Sequence, residues 1–270
     1  MKDSMPKKSL GQHWLTDEAA LSSIAQSAYI SPEDTVLEIG PGHGALTKHL
    51  VLEAKKVIAV ELDEKLAAAL PKNIKDANLE VVQGDILQFD LSKLPTRYKV
   101  VANIPYYLTG KIMRLFASAK NRPSTVVLLV QKEVAERICG QPGKMSLLAV
   151  SVQLYFEARL GIVVPAASFN PKPKVDSRVV ILHRHRWPLF KGLREQKFFE
   201  VVKAGFSNPR KKLRSSLSAG LQISKTEADK LLANAEINGD LRPEHLSLAQ
   251  WHRLYTHYAV KKDLRSLLPK

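Results

Sequence analysis

The stretch TVLEIGPGHGALTKHLVLEA, residues 35–54, holds the pattern that decides the fold. Its first part, TVLEI, is a short run of β-branched and aliphatic residues and predicts a buried strand. Its last part, GALTKHLVLEA, has apolar residues at helical spacing. Gly40, Gly42 and Gly44 lie between the two and favour a tight turn. The stretch therefore predicts a strand, a glycine-rich turn and a helix in succession.

The same alternation continues along the chain. Apolar strand-like runs follow in KVIAVEL, LEVVQGDI, YKVVANI and STVVLLV, and helix-like segments follow in DEKLAAALPKNI, GKIMRLFASA and KEVAERIC. Strands that are apolar throughout and separated by amphipathic helices predict a parallel sheet covered on both faces. In this doubly wound α/β arrangement the ligand lies beyond the carboxyl ends of the strands. Two later strands, in ARLGIVVP and KVDSRVVILHR, are predicted to form an antiparallel pair at the edge.

The pattern changes after residue 187. The segments REQKFFEVVKAGF, PRKKLRSSLSAGL, KTEADKLLANAE and SLAQWHRLYTHYAV all have helical spacing, and no strand pattern lies between them. We therefore predict an α/β domain over residues 1–187 and a small all-helical domain over residues 188–270.

Charge is the most informative part of the composition. The chain of 270 residues carries 41 Lys and Arg against 26 Asp and Glu, a net charge of +15. From Arg186 onward there are 17 basic and 8 acidic residues, so the shorter C-terminal part is the more basic. Such an excess favours a polyanionic partner, nucleic acid first and an anionic membrane second, although it can also serve solubility alone.

Other features of the composition exclude several classes of protein. The single cysteine, Cys139, excludes an internal disulfide framework and a multi-cysteine zinc site, which fits a reducing cytoplasm. No apolar stretch is long enough to span a bilayer, and the N-terminus has no signal-peptide core. We expect a cytoplasmic protein without a membrane partner.

Three consecutive predicted strands end in residues that suit a nucleoside cofactor. The glycine turn lets a ligand approach the backbone, and Glu61, nineteen positions after Gly42, can accept hydrogen bonds from both ribose hydroxyls. Asp85 ends the third strand and can receive an adenine amine. The glycines have the spacing Gly-x-Gly-x-Gly, not the Gly-x-Gly-x-x-Gly of dinucleotide sites. This spacing favours S-adenosylmethionine over NAD.

The fourth predicted strand ends in NIPYYL, residues 103–108. Asn and Pro are ordinary turn residues, so an ordinary turn is one interpretation. At this edge of the sheet, however, the Asn103 carbonyl and a free backbone carbonyl near Pro105 can hold an amino group towards a methyl donor. Tyr106 offers a face on which a base can stack. The motif therefore predicts a platform for an extruded adenine.

Six motifs in order resemble one enzyme family: GQHWL, EIGPGHGALT, GDI, NIPYYLTG, SFNPKPKVDSRVV and GFSNPRKKLRSSL. Together they look like the small-subunit (16S) ribosomal RNA adenine N6,N6-dimethyltransferases of the KsgA type, over about residues 8–255. The resemblance implies a Rossmann-like S-adenosylmethionine-dependent domain with a helical C-terminal domain. It also implies dimethylation of two adjacent adenosines in a 3′-terminal hairpin of 16S rRNA during late maturation of the small subunit.

The same resemblance assigns roles to residues. Cofactor contacts are implied for His13, Leu15, Gly40, Gly42, Glu61, Asp85, Ile86 and Asn103. Contacts with the target adenine are implied for Asn103, the Pro105 carbonyl, Tyr106 and, from the other side, Phe169. The family usually has Gly-Gln-Asn-Phe-Leu where this chain has His13 and Trp14, so the cofactor contact of His13 is the least secure.

A basic cluster in the C-terminal part is predicted to bind RNA phosphates. Arg210, Lys211, Lys212 and Arg214 lie in PRKKLR, which we place on a helix, where a merely solvated face is the alternative. We expect a monomer that acts on 16S rRNA within an immature small subunit. Two other functions remain open: a large-subunit adenine methyltransferase of the macrolide-resistance type, and a non-catalytic assembly or transcription factor.

Overall fold

The computed structural model describes residues 12–266, with side chains up to residue 259. Within them the chain forms two compact units. The first comprises residues 12–139 and Tyr155–His185, and the second comprises Gly140–Leu154 and residues 186–266. No helix among the described residues is both long enough and apolar enough to cross a membrane.

A seven-stranded sheet forms the centre of the first unit. Its strands are β2 (Thr35–Ile39), β3 (Lys56–Glu61), β4 (Leu79–Gln83), β5 (Lys99–Asn103), β6 (Thr125–Gln131), β7 (Phe156–Val164) and β9 (Ser177–Arg184). They lie in the order β4-β3-β2-β5-β6-β9-β7. The first five are parallel, and β9 is antiparallel to both β6 and β7. The predicted parallel sheet and antiparallel edge pair are both confirmed.

The order of the strands fixes the position of the site. The chain runs from β2 outward to β4 and then returns to β5 on the other side of β2. The carboxyl ends of β2 and β5 therefore form a switch point, where open α/β sheets bind ligands. The central strands supply the core because their apolar side chains, such as Val36, Val57, Val101 and Val127, are fully buried.

The described part of the first unit contains five α-helices: α1 (Glu18–Gln26), α2 (Thr47–Glu53), α3 (Glu64–Asn73), α4 (Thr109–Ser118) and α5 (Lys132–Ile138). Side-chain caps start two of them. The carboxylate of Asp63 accepts hydrogen bonds from the backbone N–H groups of Lys65 and Leu66 at the start of α3. The carboxylate of Asp17 accepts a hydrogen bond from the backbone N–H of Ala20 at the start of α1. The sequence analysis did not predict this helix.

A small second sheet joins two distant parts of the first unit. Strand β1 (Trp14–Leu15) pairs antiparallel with β8 (Phe169–Asn170), with Trp14 opposite Asn170 and Leu15 opposite Phe169. This pairing brings the segments that carry His13 and Phe169, which are far apart in sequence, next to each other. The sequence analysis predicted neither strand, because each has only two residues.

The second unit is helical among its described residues. It contains α6 (Leu147–Gln153), α7 (Glu195–Phe206), α8 (Leu213–Leu221), α9 (Lys225–Asn234) and α10 (Leu248–Ser266). Trp251 is its largest fully buried side chain, and it packs so closely on Gly205 that a Cβ atom there would lie 2.4 Å from the indole. Ser224 and Glu227 form a capping box at the start of α9.

Two features of the second unit differ from the sequence expectations. The segment Gly140–Leu154 groups with the C-terminal helices, although it lies within the range predicted for the α/β domain. The domain division at residue 187 stays a prediction. The first eleven and the last four residues of the two predicted domains lie outside the described residues. The prediction that the PRKKLR cluster lies on a helix is wrong for its first part. Helix α8 begins at Leu213, and Arg210 lies in a preceding turn.

Candidate active site

A cavity opens at the carboxyl ends of the central strands. Every residue that the sequence analysis assigned to the cofactor or to the target base lines it: His13, Leu15, Gly40, Gly42, Glu61, Asp85, Ile86, Asn103, Pro105, Tyr106 and Phe169. All of them belong to the first unit. Their individual roles stay predictions, but the structure brings them together around one space.

The glycine turn forms one wall of this cavity. Gly40 has a φ of +64°, which L-residues with a Cβ rarely adopt, and a Cβ atom built on it would meet nothing within 4 Å. The backbone at Gly40 therefore borders open space. The backbone N–H of Gly42 donates to Glu61 Oε2 at 3.0 Å, so the turn and the end of β3 hold each other in place.

The two predicted acids are held by backbone N–H groups. Glu61 is 5% exposed, and its Oε1 also accepts from the backbone N–H of Asp63 at 2.9 Å. Asp85 Oδ1 accepts from Leu87 at 2.9 Å and starts a short 3-10 turn that places Ile86 beside the cavity. A carboxylate has about four acceptor sites, so each acid retains acceptor capacity for a ligand.

Glu38 is a third acid in the cavity wall, and the sequence analysis missed it. Its side chain is 1% exposed on the central strand β2, and its Oε2 makes no hydrogen bond among the described residues. Burial raises the pKa of Glu38 to about 8, against the effect of the Thr47 hydroxyl, and the charge of Glu61 adds to the rise. The signal in the sequence was an acid inside the apolar run VLEIG.

Asn103 lies at the end of β5 with its amide oriented by a neighbour. Its Nδ2 donates to the backbone carbonyl of His13 at 3.3 Å. This leaves Oδ1 as an acceptor without a hydrogen bond among the described residues. The Pro105 carbonyl was expected to be free, and it is not, since it accepts the N–H of Leu108 at 3.0 Å. One of its two lone pairs remains available.

Tyr106 is half-buried and fixed at its phenol end. Its hydroxyl and that of Ser177 on β9 lie 2.8 Å apart, at hydrogen-bond distance. Burial raises the pKa of Tyr106, against the effect of the Ser177 hydroxyl, and the charge of Asp176 raises it further. The phenol therefore stays neutral at physiological pH, and its ring has a defined orientation in the cavity wall.

The N-terminal segment covers the cavity with two rings. The imidazole of His13 stacks on Tyr106 with ring centroids 5.9 Å apart and an interplanar angle of 21°. Trp14 lies over the glycine turn, with its Nε1 3.6 Å from the position of a Cβ atom on Gly42. Trp14 also meets the ring of His43 edge to face at 4.3 Å. The sequence analysis assigned His43 no site role, yet it lines the cavity.

Known proteins resemble this chain over nearly its whole length. Residues 4–260 match the profile of a family described as ribosomal RNA adenine dimethylase. The chain belongs to that family.

Curated relatives of this adenine dimethylase family member share one name. A ribosomal RNA small subunit methyltransferase A from Dehalococcoides mccartyi (strain CBDB1) is 42% identical over 257 residues, which cover 94% of this chain and 88% of that protein. The protein of the same name from Lactococcus lactis subsp. lactis is 39% identical over 259 residues, with coverages of 92% and 88%. The predicted family is thereby confirmed.

Solved structures confirm the predicted fold class. A dimethyladenosine transferase from Plasmodium falciparum superposes with a TM-score of 0.81 at 26% identity, covering 93% of this chain and 98% of that one. The 23S rRNA methyltransferase ErmE superposes with a TM-score of 0.75 at 29% identity, covering 90% and 98%. The fold of this adenine dimethylase family member is therefore that of Rossmann-like, S-adenosylmethionine-dependent methyltransferases.

The basic cluster of this family member divides into paired and unpaired side chains. Arg214 forms ion pairs with Asp240 and, at 3.7 Å, with Asp229. Lys212 Nζ lies 3.2 Å from Asp240. Arg210 and Lys211 are exposed and form no ion pair among the described residues. The role of the cluster in RNA binding stays a prediction. Arg210 and Lys211 are the two side chains of the cluster whose charges no neighbouring acid neutralises among the described residues.

Proposed function

We propose that this protein transfers methyl groups from S-adenosylmethionine to N6 of two adjacent adenosines in the 3′-terminal hairpin of 16S rRNA. The substrate would be an immature small ribosomal subunit, and the protein would act as a monomer in the cytoplasm. One observation carries the proposal: the acids that suit a nucleoside and the Asn103–Tyr106 platform line the same cavity. The family of the chain and the name of its curated relatives support it.

The cavity fits S-adenosylmethionine. The open space in front of Gly40 admits a ligand against the backbone, which a Cβ atom would obstruct. Glu61 would hold the ribose hydroxyls, and Asp85 would hold the adenine amine with Ile86 beside the ring. Leu15 would cover the cofactor from the N-terminal segment. When bound, the cofactor would supply a methyl group on a positively charged sulfur; as the neutral amine bonds to that methyl group, the carbon–sulfur bond would break to leave a thioether, and the methylated nitrogen would release one proton to water.

Asn103 and Pro105 would orient the target amine. Its two N–H groups would donate to Asn103 Oδ1 and to the remaining lone pair of the Pro105 carbonyl. Asn103 is the last residue of β5 and Pro105 follows it by two residues, so both acceptors lie at the switch point of the sheet. This arrangement would align the nitrogen lone pair with the methyl group, and such alignment lowers the entropic part of the barrier.

Tyr106 would support the extruded base. Stacking on an aromatic ring is worth about 1–3 kcal/mol per base, which offsets part of the cost of unstacking the adenine from RNA. The phenol end of Tyr106 is fixed by Ser177, so the ring needs little reorganisation. Phe169, 5% exposed and opposite Leu15, would border the base from the side of β8.

The substrate can be tested directly. Small-subunit particles from cells that lack this protein should accept labelled methyl groups from S-adenosylmethionine, and mass spectrometry should place two dimethyladenosines near the 3′ end. Naked large-subunit RNA is the discriminating arm, because the fold also resembles ErmE. Transfer to that RNA and not to the particles would reject the proposal. Absence of transfer to either would favour a non-catalytic role.

A further inference from the structure

The second tyrosine of the NIPYYL motif, Tyr107, has no part in the function proposed above. Its side chain is 54% exposed, and it also lines the cavity. In the part of the chain that the structure describes, this side chain makes no hydrogen bond and no ring contact. Single exposed apolar side chains are ordinary on protein surfaces, but this one lies where the cavity meets solvent. Its ring is therefore available to a ligand that enters the cavity.

A 3-10 turn points the two tyrosines of the motif in different directions. The turn comprises Tyr106–Leu108, and successive side chains diverge by about 120° because such a turn has three residues. Tyr106 is half-buried in the cavity wall, whereas Tyr107 faces solvent. The hydroxyl of Thr109 donates to the Tyr106 carbonyl at 3.0 Å and fixes the turn to the start of α4. The two rings are thus held side by side, one inside the cavity and one at its edge.

Two cations follow Tyr107 on the exposed side of α4. Lys111 lies four positions after Tyr107, and Arg114 lies three positions after Lys111, which is the spacing of neighbours on one helix face. Both side chains are exposed, and neither forms an ion pair among the described residues. Cations without a neighbouring acid attract RNA phosphates. A strand that delivers a base to Tyr106 would meet Tyr107 and these two charges beside the cavity.

We propose that Tyr107 stacks on the base next to the target adenosine and so holds the RNA strand at the edge of the cavity. This inference rests on the proposed function. The proposed substrate has two adjacent adenosines, so when one adenine lies against Tyr106, the other is only one phosphate away. The ring of Tyr107 suits that neighbouring base because stacking requires only the π-face that every base has.

A double-mutant cycle between this side chain and the neighbouring base tests the contact. Small-subunit particles would be reconstituted with 3′-terminal RNA segments that keep one target adenosine. The nucleotide before or after it would carry either purine, which stacks but has no amine, or no base. Filter binding with S-adenosylhomocysteine, which has no methyl group to transfer, would measure the affinities of wild type, Tyr107→Phe and Tyr107→Ala. Leu52→Ala, an exposed side chain that does not line the cavity, is the control.

We expect loss of the base on one side of the target to weaken binding by wild type, Tyr107→Phe and Leu52→Ala about fivefold or more, as for one lost stack. Tyr107→Ala should bind the purine-containing particles more weakly by the same factor. It should not distinguish them from particles that lack this base. Loss of the base on the other side of the target should affect all four proteins equally. Thermal unfolding would show that each variant is folded.

Three results would overturn the stack. The first is wild-type affinity of Tyr107→Ala for the purine-containing particles. The second is additive losses from the side chain and from the base on both sides of the target, and the third is a loss in Tyr107→Phe as large as in Tyr107→Ala. Failure of the proposed function would appear differently, as absence of methyl transfer by the wild-type protein to unmodified particles, whatever the affinities.

Discussion

Asn103 shows how a neighbour can prepare a side chain for its role. The NIPYYL motif predicted an acceptor for an amine, but it could not say which end of the amide faces the cavity. The donation from Nδ2 to the His13 carbonyl decides this, because it leaves Oδ1 as the acceptor. A contact from ninety residues away in sequence therefore fixes the chemistry of the site.

Replacing Asn103 by Ala should impair methyl transfer and spare RNA binding. In the proposed function the side chain would contact the amine and no phosphate, and loss of one preorganised hydrogen-bonding group typically costs about 10²–10³ in kcat. Single-turnover rates and filter binding would measure the two effects. Asn73→Ala, an exposed asparagine at the end of α3, is the control. Equal losses of RNA affinity and rate in Asn103→Ala would contradict the assigned role.

Glu38 should make the stability of the cofactor-free protein depend on pH. Its pKa rises from 4.5 to about 8 on folding, so the folded state binds this proton more tightly. Its contribution to stability is complete below about pH 4.5 and is lost as the pH rises towards 8, by up to about 1.4 kcal/mol per pH unit. Urea unfolding of wild type and Glu38→Gln from pH 5 to 8 would isolate this slope.

The titration of His252 does not affect the comparison between wild type and Glu38→Gln. Burial lowers the pKa of His252, so this residue adds stability as the pH rises, and it does so equally in both proteins. The difference between wild type and Glu38→Gln therefore reports Glu38 alone. Identical pH dependence in the two proteins would show that Glu38 is ionised in the folded state.

At the scale of elements, the turn after β2 combines a backbone requirement with a binding surface. Gly40 and Gly42 both have positive φ, at +64° and +59°. Gly44, at +88°, serves packing instead, since a Cβ atom there would lie 2.6 Å from Ile74. The sequence predicted a glycine turn, whereas only the structure separates glycines that border the cavity from one that packs on α3.

Gly40→Ala should weaken cofactor binding by more than its cost in stability explains. A left-handed conformation costs a non-glycine residue about 1–2 kcal/mol, and the new methyl group would also project into the cavity. Gly143→Ala is the matched control, because Gly143 has a φ of +100° and equally open surroundings but lies in an exposed turn of the second unit. Both glycine-to-alanine substitutions should lower the melting temperature.

Calorimetry with S-adenosylmethionine separates the two glycines. We expect at least a tenfold loss of affinity for Gly40→Ala and a change of less than twofold for Gly143→Ala. Similar affinities in both variants would mean that the backbone at Gly40 does not approach the cofactor.

At the scale of the whole molecule, charge is the main predictor of the partner. The net charge of +15 fits an RNA substrate, but the number of free cations in the cluster is smaller than the sequence suggested. Asp240 pairs with both Lys212 and Arg214, so these two side chains contribute less to phosphate binding. Acids distant in sequence thus decide which basic residues are available.

The double variant Arg210→Ala, Lys211→Ala should reduce the salt dependence of RNA binding. Two lost phosphate contacts should lower the slope of log K against log salt by about 1.4–1.8. The rate of methyl transfer at saturating RNA should change little. Lys225→Ala with Lys230→Ala removes the same charge from exposed positions of α9 and should leave the slope unchanged. Equal slopes for the two double variants would reject the phosphate-binding cluster.

The sequence by itself determined the succession of the main-sheet strands and of helices α2 to α5 and α7 to α10, the parallel sheet with its antiparallel edge, and the cavity residues at the strand ends. It could do so because periodicity, glycine turns and strand-end acids are local properties. Only the tertiary structure decided the pairing of β1 with β8, the stacking of His13 on Tyr106, the burial of Glu38 and the neutralisation of Arg214. These depend on groups that are distant in the chain, and their physical effects arise only when folding brings them into contact.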